Sequence, residues 1–413
     1  MIALFTGSLL FTSSSVILTD AQQDKGTYHI AVQITETFAL YAVDEMGITT
    51  LIRDFGSQFG MVRTERVVEW FILTQDDIVP SPDGRFIAFV GLARQPSTDT
   101  ALFVYDIAQD SLQQISLTGV AVSLWSPDSS SIALIADSHL IDFQPIMPLS
   151  IYDIASGALL SVTGAEGAGV PYVWTGDSQF LLYTDRGQPC PAASCIDAFA
   201  DWYRVNRIGQ NRQQITTLST DLVGTSAPPS STCAPAQGIW SDVNNRLYYS
   251  VGCINAQTGN DQSFILSTSL EGGTRTEIDD LALYPSDRHS YIRGLAANND
   301  GVMVVIAADV DTGVLNTSGI EWRVLHISTE QSLTTLYQER FPIDVSRIIV
   351  DFSVFPDGNS MVVVGVDVIM DRTHTIALWW MPEALNWYNA MRLTELYAQP
   401  LGEMSSFLSL EHN

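Results

Sequence analysis

The stretch SPDGRFIAFVG, residues 81–91, decides how the rest of the chain is interpreted. Proline presets φ, aspartate hydrogen-bonds to its own backbone and glycine supplies positive φ, so Pro82, Asp83 and Gly84 predict a tight turn. The apolar run that follows is typical of a buried β-strand. The same turn and strand recur at intervals of about 45 to 65 residues, with turn positions at Asp83, Asp128, Asp177, Asp242, Asp300 and Asp357. One aspartate per repeat indicates a structural role in each turn.

A second signal follows the turns, as a pair of strand-like runs joined by a short polar turn. Examples are ALFVYDIAQDSLQQIS from residue 101 and LSIYDIASGALLSVTG from residue 149. Each repeat therefore predicts four antiparallel strands, which is the content of one propeller blade. Helix signals are scarce, and we expect a short helix or turn near residues 382–386. The sequence predicts an all-β fold.

The number of repeats predicts a single β-propeller over residues 27–405. Six units carry the turn, and a seventh, at 27–56, lacks the turn-bearing first strand. The C-terminal GEMSSFLSLEHN, residues 402–413, is a candidate for the missing strand, so that the N- and C-terminal strands close the ring and remove an open sheet edge. We predict seven four-stranded blades, although six or eight also fit the longer gaps. The predicted blades are 27–56, 78–117, 121–163, 170–218, 238–279, 292–338 and 348–397.

Several motifs resemble those of a known family. They are WSPD followed by IALIA (125–136), IYDIASG (151–157) and SLEGGTRTEI (269–278). They resemble the TolB-type and WD-repeat-like propellers of bacterial exported proteins, and the same repeat occurs in the propellers of prolyl oligopeptidase-type enzymes. The resemblance covers roughly residues 28–400 and implies a propeller. It says little about function, because this fold hosts many unrelated functions.

The charge balance excludes one class of partner. The net charge is −27, from 19 Lys+Arg against 46 Asp+Glu. Such an acidic chain repels phosphate backbones and anionic lipid headgroups. We therefore expect no nucleic-acid partner.

The N-terminus predicts export. Residues 2–18 are mostly apolar or small, and a polar stretch follows, with Thr19 and Ala21 as small residues before a cut. This pattern indicates a signal peptide at 1–21, although no basic residue precedes the apolar part. An uncleaved anchor is the alternative. No later stretch is apolar for long enough to cross a bilayer, so we expect a periplasmic, extracellular or cell-surface protein without a stable span in the mature chain.

The cysteines are disulfide candidates. The chain has four, Cys190, Cys195, Cys233 and Cys253. An even count in an exported chain suggests disulfides, and four cysteines allow three pairings. A metal site of four thiolates is the rival interpretation, but the spacing fits it poorly.

Signs of catalysis are weak. No G-x-S-x-G nucleophile elbow is present, and the six histidines include no HExxH motif. The loop DVDTGVLNTSG, residues 309–319, resembles half of a calcium loop, with Asp309 and Asp311 at alternate positions. We assign no catalytic residue, metal or cofactor, and calcium remains the one cofactor that the sequence suggests at all.

The repeat at Asp177 carries two long segments, DRGQPCPAASCIDAFADWYR (185–204) and STDLVGTSAPPSSTCAPAQ (219–237). Long loops in compact domains are commonly functional or disordered. Aromatic and arginine side chains are enriched in binding hot spots, so we single out Asp201, Trp202, Tyr203 and Arg204 as candidate binding residues.

Together these patterns favour an exported, non-enzymatic propeller, monomeric, that binds a protein, peptide or glycan or acts as a scaffold. The alternative is a propeller enzyme, a metal-assisted lyase or hydrolase, with its site at the mouth of the central channel. Bound metal would favour the enzyme, and a stable co-purified protein would favour the binding module.

Overall fold

The computed structural model describes the chain in segments between residues 29 and 397. These segments are 29–34, 39–44, 49–54, 67–68, 71–72, 78–92, 100–115, 122–135, 139–141, 144–146, 148–162, 164, 168–185, 201–222, 225, 231–255, 261–279, 290–298, 300–311, 318–342, 347–354, 361–368, 374–381 and 391–397. Within them every regular element is a β-strand except one short helix. No helix in these segments is long and apolar enough to cross a membrane.

The strands form seven main sheets and two small hairpins. Sheet 1 has β1 (His29–Ile34), β2 (Ala39–Asp44) and β3 (Thr49–Asp54), and a hairpin of β4 (Val67–Val68) and β5 (Phe71–Ile72) follows. Sheet 2 has β6 (Ile78–Pro80), β7 (Phe86–Leu92), β8 (Thr100–Asp106) and β9 (Ser111–Ile115). Sheet 3 begins with β10 (Val122–Trp125) and β11 (Ser131–Ile135), continues after the hairpin β12 (His139–Ile141) and β13 (Gln144–Ile146), and ends with β14 (Leu149–Asp153) and β15 (Leu159–Ser161).

The remaining sheets each have four consecutive strands. Sheet 4 has β16 (Ala168–Trp174), β17 (Phe180–Asp185), β18 (Asp201–Asn206) and β19 (Gln213–Gln214), followed by helix α1 (Leu218–Asp221). Sheet 5 has β20 (Ser231–Ser241), β21 (Arg246–Asn255), β22 (Asp261–Ser269) and β23 (Gly272–Asp279). Sheet 6 has β24 (Ser290–Asn298), β25 (Gly301–Asp311), β26 (Ser318–Ser328) and β27 (Leu333–Pro342), and sheet 7 has β28 (Arg347–Val354), β29 (Met361–Val368), β30 (His374–Met381) and β31 (Met391–Tyr397).

The sheets are antiparallel meanders whose first strands lie next to each other. β16 contacts β20, β20 contacts β24, and β24 contacts β28; β6 likewise contacts β10. The first strand of each sheet is therefore its inner strand, and the fourth is its outer strand. The predicted all-β fold with four-stranded antiparallel sheets is confirmed.

Neighbouring sheets pack face to face, and alternate residues of one strand enter different cores. In β17, Leu181 and Tyr183 pack with residues of sheet 3, whereas Leu182 packs with residues of sheet 5. In β21, Tyr249 faces sheet 4 and Tyr248 faces sheet 6. Because side chains alternate between the two faces of a strand, a strand buried on both sides needs an unbroken apolar run. This explains the apolar runs that follow the turns.

Aspartate organises the corner turn between the inner and second strands of sheets 2 to 4. In sheet 2, Asp83 Oδ1 accepts hydrogen bonds from the Ser81 hydroxyl (2.6 Å) and from the Arg85 backbone N–H (3.0 Å). Asp128 and Asp177 accept the equivalent bonds in sheets 3 and 4. Each aspartate thus joins the two ends of its own turn.

The same turns also connect one sheet to the next. The Asp83 N–H donates to Ser129 Oγ of sheet 3 at 2.9 Å, and the Asp128 N–H donates to Ser178 Oγ of sheet 4 at 3.0 Å. Both serines have positive φ, 58° and 59°, which costs energy for a residue with a Cβ. The equivalent position in sheet 2 is Gly84, and no corner turn of this kind is described in sheet 1. In sheets 3 and 4 a serine therefore occupies the strained position, because its hydroxyl oxygen accepts the hydrogen bond from the corner turn of the preceding sheet.

Sheet 5 departs from this pattern. Asp242 directly follows Ser241, whereas the aspartates of sheets 2 to 4 stand two residues after the hydroxyl residue. Its Oδ1 accepts from Trp240 Nε1 at 2.8 Å, and its carboxylate lies against Gly176 of sheet 4. In sheet 6 the Asp300 backbone carbonyl accepts from the Thr329 N–H at 3.0 Å, and Asp357 lies outside the described residues.

Two other expectations differ from the structure. Residues 231–237, interpreted as part of a long loop, belong to β20, whose register shift between Pro235 and Gln237 accommodates a proline without a backbone donor. Helix α1 was not expected from the sequence. The stretches 1–21, 382–386 and 402–413 lie outside the described residues.

Replacing Ser129 tests the connection between the corners. We expect Ser129→Ala to lower the free energy of unfolding by about 1–2 kcal/mol, because the Asp83 N–H loses its acceptor while an alanine stays at positive φ. Ser129→Gly loses the same bond but relieves the strained backbone, so its stability should fall between that of the alanine variant and wild type. Urea unfolding of the three proteins measures this order, and an alanine variant as stable as wild type would contradict it.

Candidate functional site

In each four-stranded sheet the chain reverses direction at two opposite ends of the strands, which we call the corner edge and the loop edge. The turns between strands one and two and between strands three and four share one edge, the corner edge. The connections between strands two and three, and those to the next sheet, lie at the opposite edge, the loop edge. The long segments of the repeat at Asp177 are connections of the second kind, so the described strand ends that flank them lie at the loop edge of sheets 4 and 5.

Two aspartates flank the insertion 186–200. β17 ends at Asp185, β18 begins at Asp201, and the two residues are opposite each other in the strand register. Directly opposite residues project to the same face of a sheet, and like charges there repel. The residues of the insertion, including Cys190 and Cys195, lie outside the described residues. The environments of the two carboxylates show how the sheet accommodates both.

Asp185 is neutralised by an arginine. It is 4% exposed, and its Oδ2 lies 2.8 Å from Arg212 Nη2. The guanidinium also lies 4.0 Å above the Tyr203 ring. Gly164 has φ +71°, and a Cβ on it would come within 2.9 Å of Arg212 Nη1, so a glycine lets the guanidinium pass. Beside this group, burial raises the pKa of Tyr183 to about 12.

Asp201 caps the connection to sheet 5. Its Oδ1 accepts the Leu218 N–H at 2.7 Å, and its Oδ2 accepts from Gln214 Nε2 at 2.9 Å. Burial raises the pKa of Asp201, and the nearby Asp221 carboxylate raises it further. Asp221 in turn accepts from Thr274 Oγ1 of sheet 5 at 2.9 Å. The two carboxylates therefore hold α1 between the sheets.

Trp202, one of the candidate binding residues, is a core residue. It is fully buried, its ring lies 5.8 Å from that of Tyr249, and it packs in the core between sheets 4 and 5. The cause is strand alternation, which turns Trp202 to the face opposite Asp201 and Tyr203. A Cβ at Gly238 would overlap Trp202 Cη2. The indole therefore anchors the start of β18.

Tyr203 and Arg204 are partly buried. Tyr203 stacks on Tyr183, with ring centroids 6.0 Å apart, and the Arg212 guanidinium lies over the Tyr203 ring. Arg204 donates from Nη2 to Gln213 Oε1 at 2.7 Å and lies 3.6 Å from Glu271 of sheet 5. Of the four predicted residues, Asp201, Tyr203 and Arg204 keep part of their surface exposed, and each already has partners within the protein.

A disulfide holds the adjacent end of sheet 5. Cys233 and Cys253 are opposite each other in β20 and β21, with their Cα atoms 4.1 Å apart, and they are bonded. Their side chains face the core that contains Trp202, while Ala234 and Gly252, the next pair in register, are exposed. This confirms the predicted disulfide and resolves the pairing for these two cysteines. The result is a fixed, solvent-facing strand end.

Sequence reasoning missed Asp185, Arg212 and Asp221. Asp185 stands at the end of a strand-like run and starts the quoted insertion, which is a usable signal. Arg212 and Asp221 give no local signal, because their roles come from contacts between separate strands. Of the suggested calcium ligands, Asp309 and Asp311 lie in β25, opposite Ile320 and Ser318. Among the described residues no group of three or more His, Cys, Asp or Glu could hold a metal.

Comparison with known proteins identifies the fold. No protein-family profile and no curated protein matches the sequence. The tricorn protease structure matches with TM-score 0.53 and 10% identity over 92% of this chain, and this chain spans 34% of its length. Oligogalacturonate lyase from Vibrio parahaemolyticus matches with TM-score 0.53 and 10% identity, covering 89% of this chain and 85% of the lyase. Both are β-propeller folds, and the chain shares that fold.

TolB from Acinetobacter baumannii also matches, with TM-score 0.38 and 15% identity over 76% of this chain and 63% of TolB. The fold assignment itself rests on the two matches at TM-score 0.53. At these identities the likeness is one of fold.

The packing of Trp202 can be tested with two glycines of sheet 5. Gly238→Ala should lower the free energy of unfolding by about 1–3 kcal/mol, because the added Cβ overlaps the indole. Gly252→Ala is the matched control, since a Cβ there meets nothing within 4 Å. Urea unfolding followed by tryptophan fluorescence measures both variants, and equal stability of the two would contradict the packing described here.

The raised pKa of Asp201 predicts a pH effect. A folded-state pKa above the unfolded value of about 4 means that the folded protein binds the proton more tightly, so this contribution to stability is lost as pH rises through the folded pKa. Asp201→Asn removes the titration, so its stability relative to wild type should increase as pH rises from about 4 toward neutrality. Melting temperatures across this range, with the exposed Glu330→Gln as control, measure the difference. A constant difference between Asp201→Asn and wild type would refute the assignment.

Proposed function

We propose that the protein is an exported, non-enzymatic β-propeller that binds a protein, peptide or glycan at the loop edge of sheets 4 and 5. The observation that carries the proposal is the double anchoring of this edge, by buried Trp202 on one sheet and by the Cys233–Cys253 disulfide on the other. A rigid scaffold holding loops is the usual design of a binding surface.

Preorganisation supports this assignment. Asp201 and Asp221 fix α1, and Thr268 Oγ1 of sheet 5 donates to the Ile215 carbonyl at 3.4 Å. The connection from sheet 4 to sheet 5 is thus bonded at several points before any partner arrives. A surface fixed in this way loses less conformational entropy on binding.

The disulfide supports export. Disulfides persist in oxidising compartments and are rare in reducing ones. The bond between Cys233 and Cys253 joins two adjacent strands in a region that is already well packed. This agrees with the signal-like N-terminus expected from the sequence.

We also propose that sheet 1 is the seventh blade and that residues 402–413 complete it with the strand that its three described strands lack. Sheet 1 has three described strands, and β1 contacts the inner strand β6 of sheet 2. Closing the ring removes an exposed sheet edge. This arrangement gives the loop edges of all blades a common face.

The binding proposal is tested by replacing residues 187–200 with a short Gly-Ser linker. We expect the shortened protein to lose most of its capture of partners from an exported fraction, while its melting temperature changes little, because the anchors of β17 and β18 are untouched. Val243→Ser, an exposed change at the corner edge, is the control and should capture as wild type does. Unchanged capture by the shortened protein would argue against this surface, and stoichiometric metal in the purified protein would favour an enzyme.

A further inference from the structure

Sheet 6 has the longest outer strand among the described four-stranded sheets. β27 has 10 residues, against 8 and 7 in the outer strands β23 and β31 of the neighbouring sheets and 3 and 2 in β15 and β19 of sheets 3 and 4. In sheet 4 the residues that follow the short outer strand β19 bond to their own sheet, because the Trp202 N–H donates to Thr216 Oγ1 at 2.8 Å. β27 pairs with β26 from Leu333 to Pro342 across one register shift, and within the described residues no strand pairs with its other side. Sheet 6 therefore presents a long strand edge.

Neither face of the first half of β27 is covered. Residues 332–336 are all exposed, including Leu333 at 44% and Leu336 at 45%. Consecutive residues of a strand point to opposite faces, so a run of five exposed residues means that both faces are open to solvent. Two of these residues are large and apolar. This end of the strand is accessible from the edge and from both sides.

The hydrogen-bond pattern shows which backbone groups point outward. The Ser328 N–H donates to the Ser332 carbonyl at 3.0 Å, so these two residues form a hydrogen-bonded pair. Pairs alternate along an antiparallel ladder, and Leu333, opposite Ile327, is therefore a residue whose N–H and C=O point away from β26. The next residue on the same side is Thr335. Outward donors and acceptors at alternate residues are what an added β-strand pairs with.

Charge decides between the candidate occupants. The chain carries −27, and the exposed charged residues described near this end of sheet 6 are Asp300 and Glu330, both acidic. A second copy would bring the same negative charge, whereas an extended basic segment is attracted. We propose that the outer edge of β27 binds an extended basic peptide by β-strand addition. The site lies outside the loop edge of sheets 4 and 5 and is independent of the function proposed there.

The test uses a fluorescently labelled peptide, Lys-Val-Lys-Thr-Lys-Val-Lys-Thr-Lys, and the intact protein. Wild type and Leu333→Ala keep the outward N–H and should bind the peptide by fluorescence anisotropy. Leu333→Pro removes that N–H without removing a bond to β26, and its affinity should fall about tenfold or more. The peptide should slow amide exchange at Leu333 and Thr335 in wild type. A peptide with N-methyl groups at alternate residues, or with glutamate in place of lysine, should not bind.

A second pair of variants does not depend on proline being tolerated. Leu333→Glu should bind the peptide more tightly than Leu333→Lys, since the position is exposed and the two changes have opposite charge. Absence of peptide binding to wild type at millimolar concentration, equal affinity of wild type and a folded Leu333→Pro, or equal affinity of the two charge variants would overturn the proposal. So would dimerisation of wild type that Leu333→Pro abolishes, because a second copy would then occupy the edge. Peptide binding that survives replacement of residues 187–200 separates this site from the loop-edge surface.

Discussion

The face-to-face packing of neighbouring sheets is the constraint on which the rest of the structure depends. Leu182 and Tyr249 belong to one core and Tyr183 and Tyr248 to the two cores on either side of it, each separated from the first by a single sheet. The second strands of sheets 4 and 5 therefore have no solvent face. These two sheets are covered by a neighbour on each side, so the hydrophobic free energy of one blade depends on the blades beside it.

The corner turns add hydrogen bonds between neighbouring sheets to this packing. Ser129 and Ser178 have a strained backbone with positive φ. The Oγ of each accepts a hydrogen bond from a backbone N–H of the preceding sheet. Arg207 reaches back in the same direction, with Nη1 3.2 Å from Asp128 Oδ2. Burial alone would raise the pKa of Asp128, but bonds from Ser130 and Ser126 and the nearby Arg207 lower it overall. The turn residues therefore fix the spacing between sheets as well as the path of the chain.

The two edges of the sheets have consequently different properties. The corner edge is occupied by short turns whose polar groups bond to each other, which leaves little freedom for variation. The loop edge carries connections of variable length, and in sheets 4 and 5 these are held by Asp201, Asp221 and the Cys233–Cys253 bond. Variation is therefore compatible with the fold at the loop edge and at the outer strands, and both of the proposed binding surfaces lie there.

The sequence by itself determined the strands and the corners. Turn chemistry at Pro82–Gly84 and the apolar runs after it are local signals, and local signals were sufficient to predict an all-β chain of four-stranded units. The position of Asp242 one residue closer to its serine was also visible in the sequence, but its effect on the turn was not.

The tertiary structure alone decided what each candidate residue does. Trp202 looked like a contact residue beside Tyr203, yet strand alternation and the approach of sheet 5 at Gly238 bury it. The partnership of Asp185 with Arg212, and of Asp221 with Thr274, joins residues far apart in the chain, so no local pattern contains it. The Cys233–Cys253 pairing was one of three until the register of β20 and β21 placed the two residues opposite each other. The reason is common to all three cases: periodicity specifies which residues are buried, whereas only the packing of sheet on sheet specifies against what.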